Sequence, residues 1–231
     1  MKHDELNVVD FHAHILPGAD HGSASLETSL AQLALAAEGG VTHIVATPHF
    51  YPDRHSVDEF LSRRERSYTE LLAAMGSHHP RVALSAEVLI CDGIERLEGL
   101  EQLCVRGTNT LLLELPFSVF KNEYCESVFR LIKRGFNVVL AHVDRYSPED
   151  IDKLADVGAA MQLNAHAFDG IFVPSSVKRW LKSGQVIALG SDIHGADKNA
   201  YVRFSKAKKR ILKLGACDPI IDFSRFLEKI F

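Results

Sequence analysis

The sequence predicts an α/β protein whose parallel strands roll into a distorted TIM-like (β/α)7 barrel. Three observations predict it. Short apolar or β-branched runs alternate with amphipathic segments through the chain, the pattern of successive βα units. The 231 residues suit one such barrel, and no linker, repeat or low-complexity stretch divides them, so a single domain is expected over 1–231. Almost every apolar run also ends on a residue able to hold a metal ion. Barrels of this kind keep their active residues at the carboxyl ends of strands.

The elements follow in order. Asn7–Phe11 reads as the first strand and runs into His12-Ala13-His14. A helix over Leu26–Glu38 has Leu26, Leu30, Leu33 and Ala37 at helical spacing, Ser25 as its N-cap and Gly39-Gly40 as its stop. Thr42–Thr47 is the second strand, closed by Pro48-His49. Ser56-Val57-Asp58-Glu59 forms a capping box that opens a helix to about Met75. Arg81–Ala86 is the third strand, ending at Glu87, and 92–99 reads as a single helical turn. Thr108–Leu113 is the fourth strand, ending at Glu114. Glu123–Arg134 is a helix stopped by Gly135, and Phe136–Ala141 is the fifth strand, ending at His142. Ser147-Pro148 caps the next helix, with proline at its first position. Ala159–Leu163 is the sixth strand, ending at Asn164, and a helix spans about Ser175–Ser183. Val186–Leu189 is the seventh strand and leads into Gly190-Ser191-Asp192-Ile193-His194. Helices over Ala200–Leu214 and about Asp222–Ile230 complete the chain.

Composition narrows the function. Hydrophobic residues are 46% and charged residues 24%, with a formal net charge of -4. No basic face is implied, so nucleic acid is not an expected partner. The N-terminus lacks an apolar signal core and no apolar run approaches membrane-spanning length. The four cysteines are scattered without a Cys-x-x-Cys pair, as in a reduced cytoplasmic protein. Neither Cys91 nor Cys125 stands in the Cys-x5-Arg phosphate cradle of a cysteine-based tyrosine phosphatase, since Arg96 and Arg130 follow at x4.

The strand ends carry the chemistry. His12 and His14 are two apart, so an extended strand turns both to one face. Further strand ends deliver His49, Glu87, Glu114, His142, and Asp192 with His194, and His21 sits in the first loop. Any one of these has an ordinary explanation as a hydrogen-bonded or exposed side chain. Thirty acidic residues and 12 histidines make such residues just under one in five of the chain. Six such endings among seven strands are far more than that frequency supplies. Nine donors exceed the roughly four that one zinc ion takes, so two or three clustered ions are expected. Imidazole and carboxylate without thiolate suit Mn²⁺, Fe²⁺ or Zn²⁺ rather than an iron–sulfur cluster or Cu(I). Clustered ions about 3.5–4 Å apart hydrolyse phosphate and amide bonds by activating a bridging water.

Asp10-Phe11-His12-Ala13-His14, Thr47-Pro48-His49, Ala86-Glu87, Leu113-Glu114, Ala141-His142-Val143-Asp144-Arg145 and Ser191-Asp192-Ile193-His194 resemble the ordered motifs of the PHP (polymerase and histidinol phosphatase) superfamily. More narrowly, the chain resembles its bacterial manganese-dependent protein-tyrosine phosphatases, encoded with capsule and exopolysaccharide genes. The similarity is collinear from Val9 to His194, and Ala141–Tyr146 favours this subgroup. It implies a distorted (β/α)7 barrel with a trinuclear centre. His12, His14, Glu87 and Asp192 would hold one ion. Glu87, Glu114 and His142 would hold a second, and His21, His49 and His194 a third. Arg145 would clamp the substrate phosphate, a task suited to a planar guanidinium, and His194 is a candidate for a catalytic role besides ligation. The partner implied is a phosphotyrosine-bearing protein, a bacterial tyrosine kinase, attacked by a metal-bridging hydroxide.

Two positions depart from the subgroup. Asp20-His21-Gly22 replaces its usual Asp-Asp-Gly, and Asn199 stands where an arginine is common. The phosphate site is therefore expected to draw on Lys198 or Arg54 beside Arg145. The aromatic and basic loop Phe50–His55 is a candidate to receive the tyrosine ring, and His166 a candidate to support a ligand. His3, His43, His78 and His79 read as bystanders. Two other functions fit the same residues. One is a small-molecule PHP phosphatase acting on histidinol, sugar or nucleotide phosphates. The other is a weakly catalytic regulator that binds the kinase, against which the full donor set speaks.

Overall fold

Nine parallel strand segments form one sheet in a computed structural model that describes residues 9–231. They are β1 (Asp10–Ala13), β2 (His43–Ala46), β3 (His49–Phe50), β4 (Arg81–Leu84), β5 (Glu87–Leu89), β6 (Thr110–Glu114), β7 (Asn137–Leu140), β8 (Ala160–Asn164) and β9 (Val186–Gly190). The order across the sheet is β3-β5-β6-β7-β8-β9-β1-β2-β4. Two predicted strands are each followed by a second segment after a break. The second strand is β2, continued as β3 beyond Thr47-Pro48, and the third is β4, continued as β5 beyond Ser85-Ala86. Proline cannot donate to a ladder, which accounts for the first break. Hydrogen bonds still bridge both gaps, from Ser85 N to Ala46 O (2.9 Å) and from Glu87 N to Pro48 O (3.1 Å). The outermost segments β3 and β4 thus belong to one interrupted pair, and the sheet curls round as a distorted barrel of seven strand positions. The start of the first predicted strand, and His3, lie outside the described residues.

The helices are α1 (Leu26–Glu38), α2 (Val57–Ala74), α3 (Glu123–Lys133), α4 (Pro148–Asp156), α5 (Ser175–Lys182), α6 (Ala200–Lys213) and α7 (Asp218–Glu228). Side-chain caps set the starts of α1 and α2. The Ser25 side chain accepts from Thr28 N, and Ser56 and Glu59 form the expected reciprocal box. Ser147 holds the cap position of α4, but its side chain makes no capping bond. The last helix begins at Asp218, four residues before the expected start, because Pro219 is accommodated in its first turn. The turn expected at 92–99 is the short 3-10 helix Ile94–Arg96, followed by a second at Leu100–Leu103. No helix of the described residues is long and apolar enough to cross a membrane.

Two apolar layers hold the sheet. The larger lies between strands and helices and includes Leu33, Phe60, Leu131, Trp180 and Phe204. The smaller fills the barrel with Phe11, Val45, Leu112, Val139 and Ala188, and Leu227 of α7 closes its floor. Phe223 meets Phe11 edge-on, with ring centres 5.2 Å apart. With its floor plugged by hydrocarbon, the barrel is left with one polar end, at the carboxyl termini of the strands.

Candidate metal centre

A bulge in β1 makes the centre possible. Asp10 pairs with Ile44 and Ala13 with Ala46, so β1 carries one more residue than β2 over this span. Phe11 can then join the barrel core while its neighbour His12 also faces inward. His12 and His14 bring their Nε2 atoms within 3.1 Å of each other. Both approach Glu87 Oε2, at 3.2 and 3.3 Å, and Asp192 Oδ1, at 3.5 and 3.4 Å. That is the first predicted group, assembled from β1, β5 and the loop after β9.

Around the second, His142 Nε2 lies 2.8 Å from Glu87 Oε1 and 3.6 Å from Glu114 Oε1. His49 belongs here as well as to the third group. Its Nδ1 is 2.9 Å from Glu87 Oε2 and 3.7 Å from Glu114 Oε2. The third group is gathered by ring contacts. His21 and His49 stack with centres 4.8 Å apart, His21 and His194 are 4.8 Å apart, and His14 and His194 are 4.2 Å apart. All nine predicted donors therefore converge on one mouth, with Glu87 at its middle.

The donors fit divalent cations. Glu87 is 1% exposed, and its Oε2 faces three histidine nitrogens within 3.3 Å, from none of which it accepts a well-aligned hydrogen bond. A buried carboxylate oxygen left in that state is costly unless a cation completes it. The trios His12–His14–Glu87, His49–Glu87–Glu114 and His14–His49–His194 each keep three donor atoms within 4.8 Å of one another.

Backbone strain concentrates at the same place. Among the described residues, the non-glycine residues with positive φ are His142 (32°) and Asp192 (51°). Such conformations persist where the surroundings over-determine them, commonly at functional sites. Asp192 N donates to His12 O at 2.7 Å, and Asn164 Nδ2 to Asp192 Oδ2 at 3.0 Å.

Supporting residues that spacing alone did not single out orient the donors. Asp20 pairs with His14 Nδ1 at 2.6 Å. Gln162 Oε1 meets His12 Nδ1 at 3.1 Å and accepts from His142 N at 2.7 Å. Gln32 donates to the carbonyls of His14 and Gly22. Buried Asp10 accepts from Ser191 N and from the Tyr201 hydroxyl, tying the Asp192 loop to α6. Asp144 accepts from Asn164 N and fixes the turn that carries Arg145. The signal for Asp10, Asp20 and Asp144 was their place inside the motifs. Gln32 and Gln162 gave none, because each acts across a long sequence separation.

Charge in the protein groups follows from this packing. Burial opposes the charge of Glu87, yet His12, His14 and His142 hold it well below the usual carboxylate range. Burial also opposes protonation of His142, but Glu114 and Glu87 outweigh it and raise the imidazole to about 9. Burial, then the neighbouring His14, lowers His194 to about 4. A neutral His194 suits a ligand better than a proton donor. Burial raises all four thiols, Cys104 to about 12, which suits inert side chains.

The other predicted positions separate. Arg145, 41% exposed, reaches Asp192 at the rim of the centre. Arg54 lies over Tyr51, 4.8 Å from the ring centre, and Tyr51 stacks on His49 at 5.3 Å. Lys198 is not brought to the centre: it lines a different cavity beside α1 and α6 that contains none of the nine donors. His166 is corrected too, since its side chain is 76% exposed and pairs with Asp169. His43 sits at the start of β2 against Phe231, and His78 and His79 stack on each other in a loop, away from the centre.

Close packing behind the histidines gives a direct test. A Cβ on Gly22 would lie 2.0 Å from His14 Cβ. Gly22→Ala is expected to displace His14, cost about 3 kcal/mol in urea unfolding and lower bound metal measured on the purified variant.

The family model for capsular polysaccharide synthesis, CpsB/CapC, matches residues 8–215. The chain belongs to the CpsB/CapC family. Its relatives include the tyrosine-protein phosphatase YwqE of Bacillus subtilis, 25% identical over 197 residues that cover 81% of this chain and 77% of that protein. CapC of Staphylococcus aureus is 27% identical over 220 residues, covering 89% and 84%. The fold matches a solved structure of YwqE from Bacillus subtilis and CpsB from Streptococcus pneumoniae, metal-dependent tyrosine phosphatases. The TM-score is 0.72 at 22% identity, over 89% of this chain and 86% of that one. This CpsB/CapC chain therefore shares their barrel, as its strand pattern predicts.

Proposed function

We propose that this chain is a metal-dependent phosphomonoester hydrolase that removes phosphate from tyrosine side chains of a protein substrate, with Mn²⁺ as its metal. The substrate fitting a capsule-synthesis family is a tyrosine kinase of the same system. The observation that carries this reading is the buried Glu87 oxygen that faces three histidine nitrogens without a well-aligned hydrogen bond, with a cationic side chain at the rim. His12, His14, His21, His49, Glu87, Glu114, His142, Asp192 and His194 would hold the ions. Bound divalent ions supply an activated water at neutral pH and neutralise charge on the phosphoryl oxygens.

The chain's own groups do the rest. Arg145 sits where its guanidinium can exchange its contact with Asp192 for two phosphoryl oxygens. Arg54 lies over Tyr51, whose ring stacks on His49. A phenolate leaving group, of pKa ~10, needs less protonation than an alkoxide, which agrees with a neutral His194. The relatives named as tyrosine phosphatases support the substrate class.

The test is hydrolysis of a phosphotyrosyl peptide by Mn²⁺-loaded protein, with and without chelator, beside small sugar and nucleotide phosphates. Turnover of the peptide that chelation removes is expected. Arg145→Ala should lower kcat/KM about 100-fold, as for loss of a charge-assisted pair, with metal content unchanged. A fully loaded wild type that ignores the peptide, or that turns it over unchanged in chelator, would sink the reading.

A further inference from the structure

We infer that Phe117, with Tyr146 behind it, forms the platform on which the aromatic ring of an aryl phosphate lies, making the site selective for phosphotyrosine over aliphatic phosphomonoesters. The inference rests on the phosphatase reading above and names the part of the substrate that this surface accepts.

The position follows from the chain. Strand β6 ends at Glu114, and Leu115-Pro116 carry the backbone out of the barrel to Phe117. The Tyr146 hydroxyl donates to Leu115 O at 2.7 Å and ties this exit to the turn that holds His142 and Arg145. Three rings then form a triangle beside the centre. His142 and Tyr146 have centres 5.6 Å apart, Tyr146 and Phe117 5.7 Å, and Phe117 and His142 6.5 Å with planes only 10° apart. Phe117 is nevertheless 73% exposed. A large apolar ring held against a polar centre while open to water is surface awaiting a ligand.

Beside it is a cavity of about 240 Å³, lined by Phe117, Phe120, Tyr124 and Tyr146 together with Arg145. A cavity of about 150 Å³ suffices for benzene, so a phenyl group fits. Arg145 lies on the same wall, so a ring on Phe117 and a phosphate on Arg145 can belong to one molecule. The loop Phe50–His55, a candidate for this task from sequence, is less available. Tyr51 is already engaged by His49 and by the Arg54 guanidinium. Phe117 has Tyr146 and His142 against it and still leaves most of its surface open to solvent.

Binding separates this inference from the catalytic one. Calorimetry of the Mn²⁺-loaded protein with phenylphosphonate and with methylphosphonate reads the ring's contribution without turnover. The wild type is expected to prefer phenylphosphonate about tenfold, the worth of one aromatic pair with its buried area. Phe117→Ala should abolish that preference, and Phe117→Trp should keep it. Exposure of Phe117 makes misfolding of these variants easy to exclude by their melting temperatures. Equal binding of both phosphonates by the wild type, or a preference that survives Phe117→Ala, would overturn the platform. Phenyl preference without hydrolysis of a phosphotyrosyl peptide would overturn the phosphatase reading and leave the ring site standing. Failure to bind either phosphonate would overturn both.

Discussion

Glu87→Gln is expected to reduce kcat/KM on the order of 1,000-fold and to strip most of the bound metal. Both carboxylate oxygens are committed. Oε1 faces His142 at 2.8 Å, while Oε2 faces His12, His14 and His49 within 3.3 Å. The amide keeps the shape but replaces one acceptor by a donor that points at histidine nitrogens or at a cation. Loss of metal-supplied charge stabilisation is worth several kcal/mol in the barrier, and about 4 kcal/mol is a factor of about 1,000. Metal analysis of the purified variant, paired with its turnover of a phosphotyrosyl peptide, checks this. Full metal content with normal turnover would remove Glu87 from the centre of the scheme.

Adding Mn²⁺ should raise the melting temperature, and the gain should grow with pH. At about 100 times the dissociation constant a ligand of the folded state contributes about 2.7 kcal/mol. For a chain of this size that corresponds to about 5–10 °C. The pH dependence has a definite sign. In the protein alone, Glu114 and Glu87 outweigh burial and lift His142 to about 9. The stability gained from that raised group is complete below about pH 6.5, the usual value, and is lost as pH rises through about 9. A metal needs the neutral ring, so it displaces a proton over the same window. Metal-free protein therefore loses this contribution as metal binding tightens. Scanning calorimetry at pH 6.5 and 8.5, with metal and with chelator, should show the larger difference at 8.5. A larger difference at 6.5 would show that protonated His142 is no competitor for the ion.

Much of this was legible in the linear chain, and for local reasons. The Ser56–Glu59 box is a four-residue signal, and the structure contains both of its hydrogen bonds. The start and end of α1 follow from Ser25 and Gly39 in the same way. Donors at strand ends could be read because periodicity locates a strand's end to within a residue or two, and a barrel gathers those ends at one mouth. The start of α7 was missed because an Asp-Pro pair reads equally as a turn or as a helix's first turn. Lys198 was expected near the centre because it stands beside Asn199, the position where the resembling subgroup commonly has an arginine. In space the loop has already left the mouth, and Lys198 lines another cavity.

By itself the sequence determined the alternation of strands and helices and the list of candidate donors, because each depends on residues a few positions apart, and the barrel implied by that alternation gathers strand ends at one mouth. Tertiary structure alone decided how those donors are shared. His49 stands with Glu87 and Glu114 as well as with His14 and His194, because its strand, interrupted at Thr47-Pro48, resumes in the same register and sets His49 opposite Glu87. His12 faces inward next to Phe11 because β1 carries an extra residue against β2. Gln162, Gln32 and Phe117 acquire their places from chains of contact more than ten residues long in sequence. Bulges, strand breaks and such distant contacts arise from packing between strands, and no local pattern of apolar and polar residues encodes them.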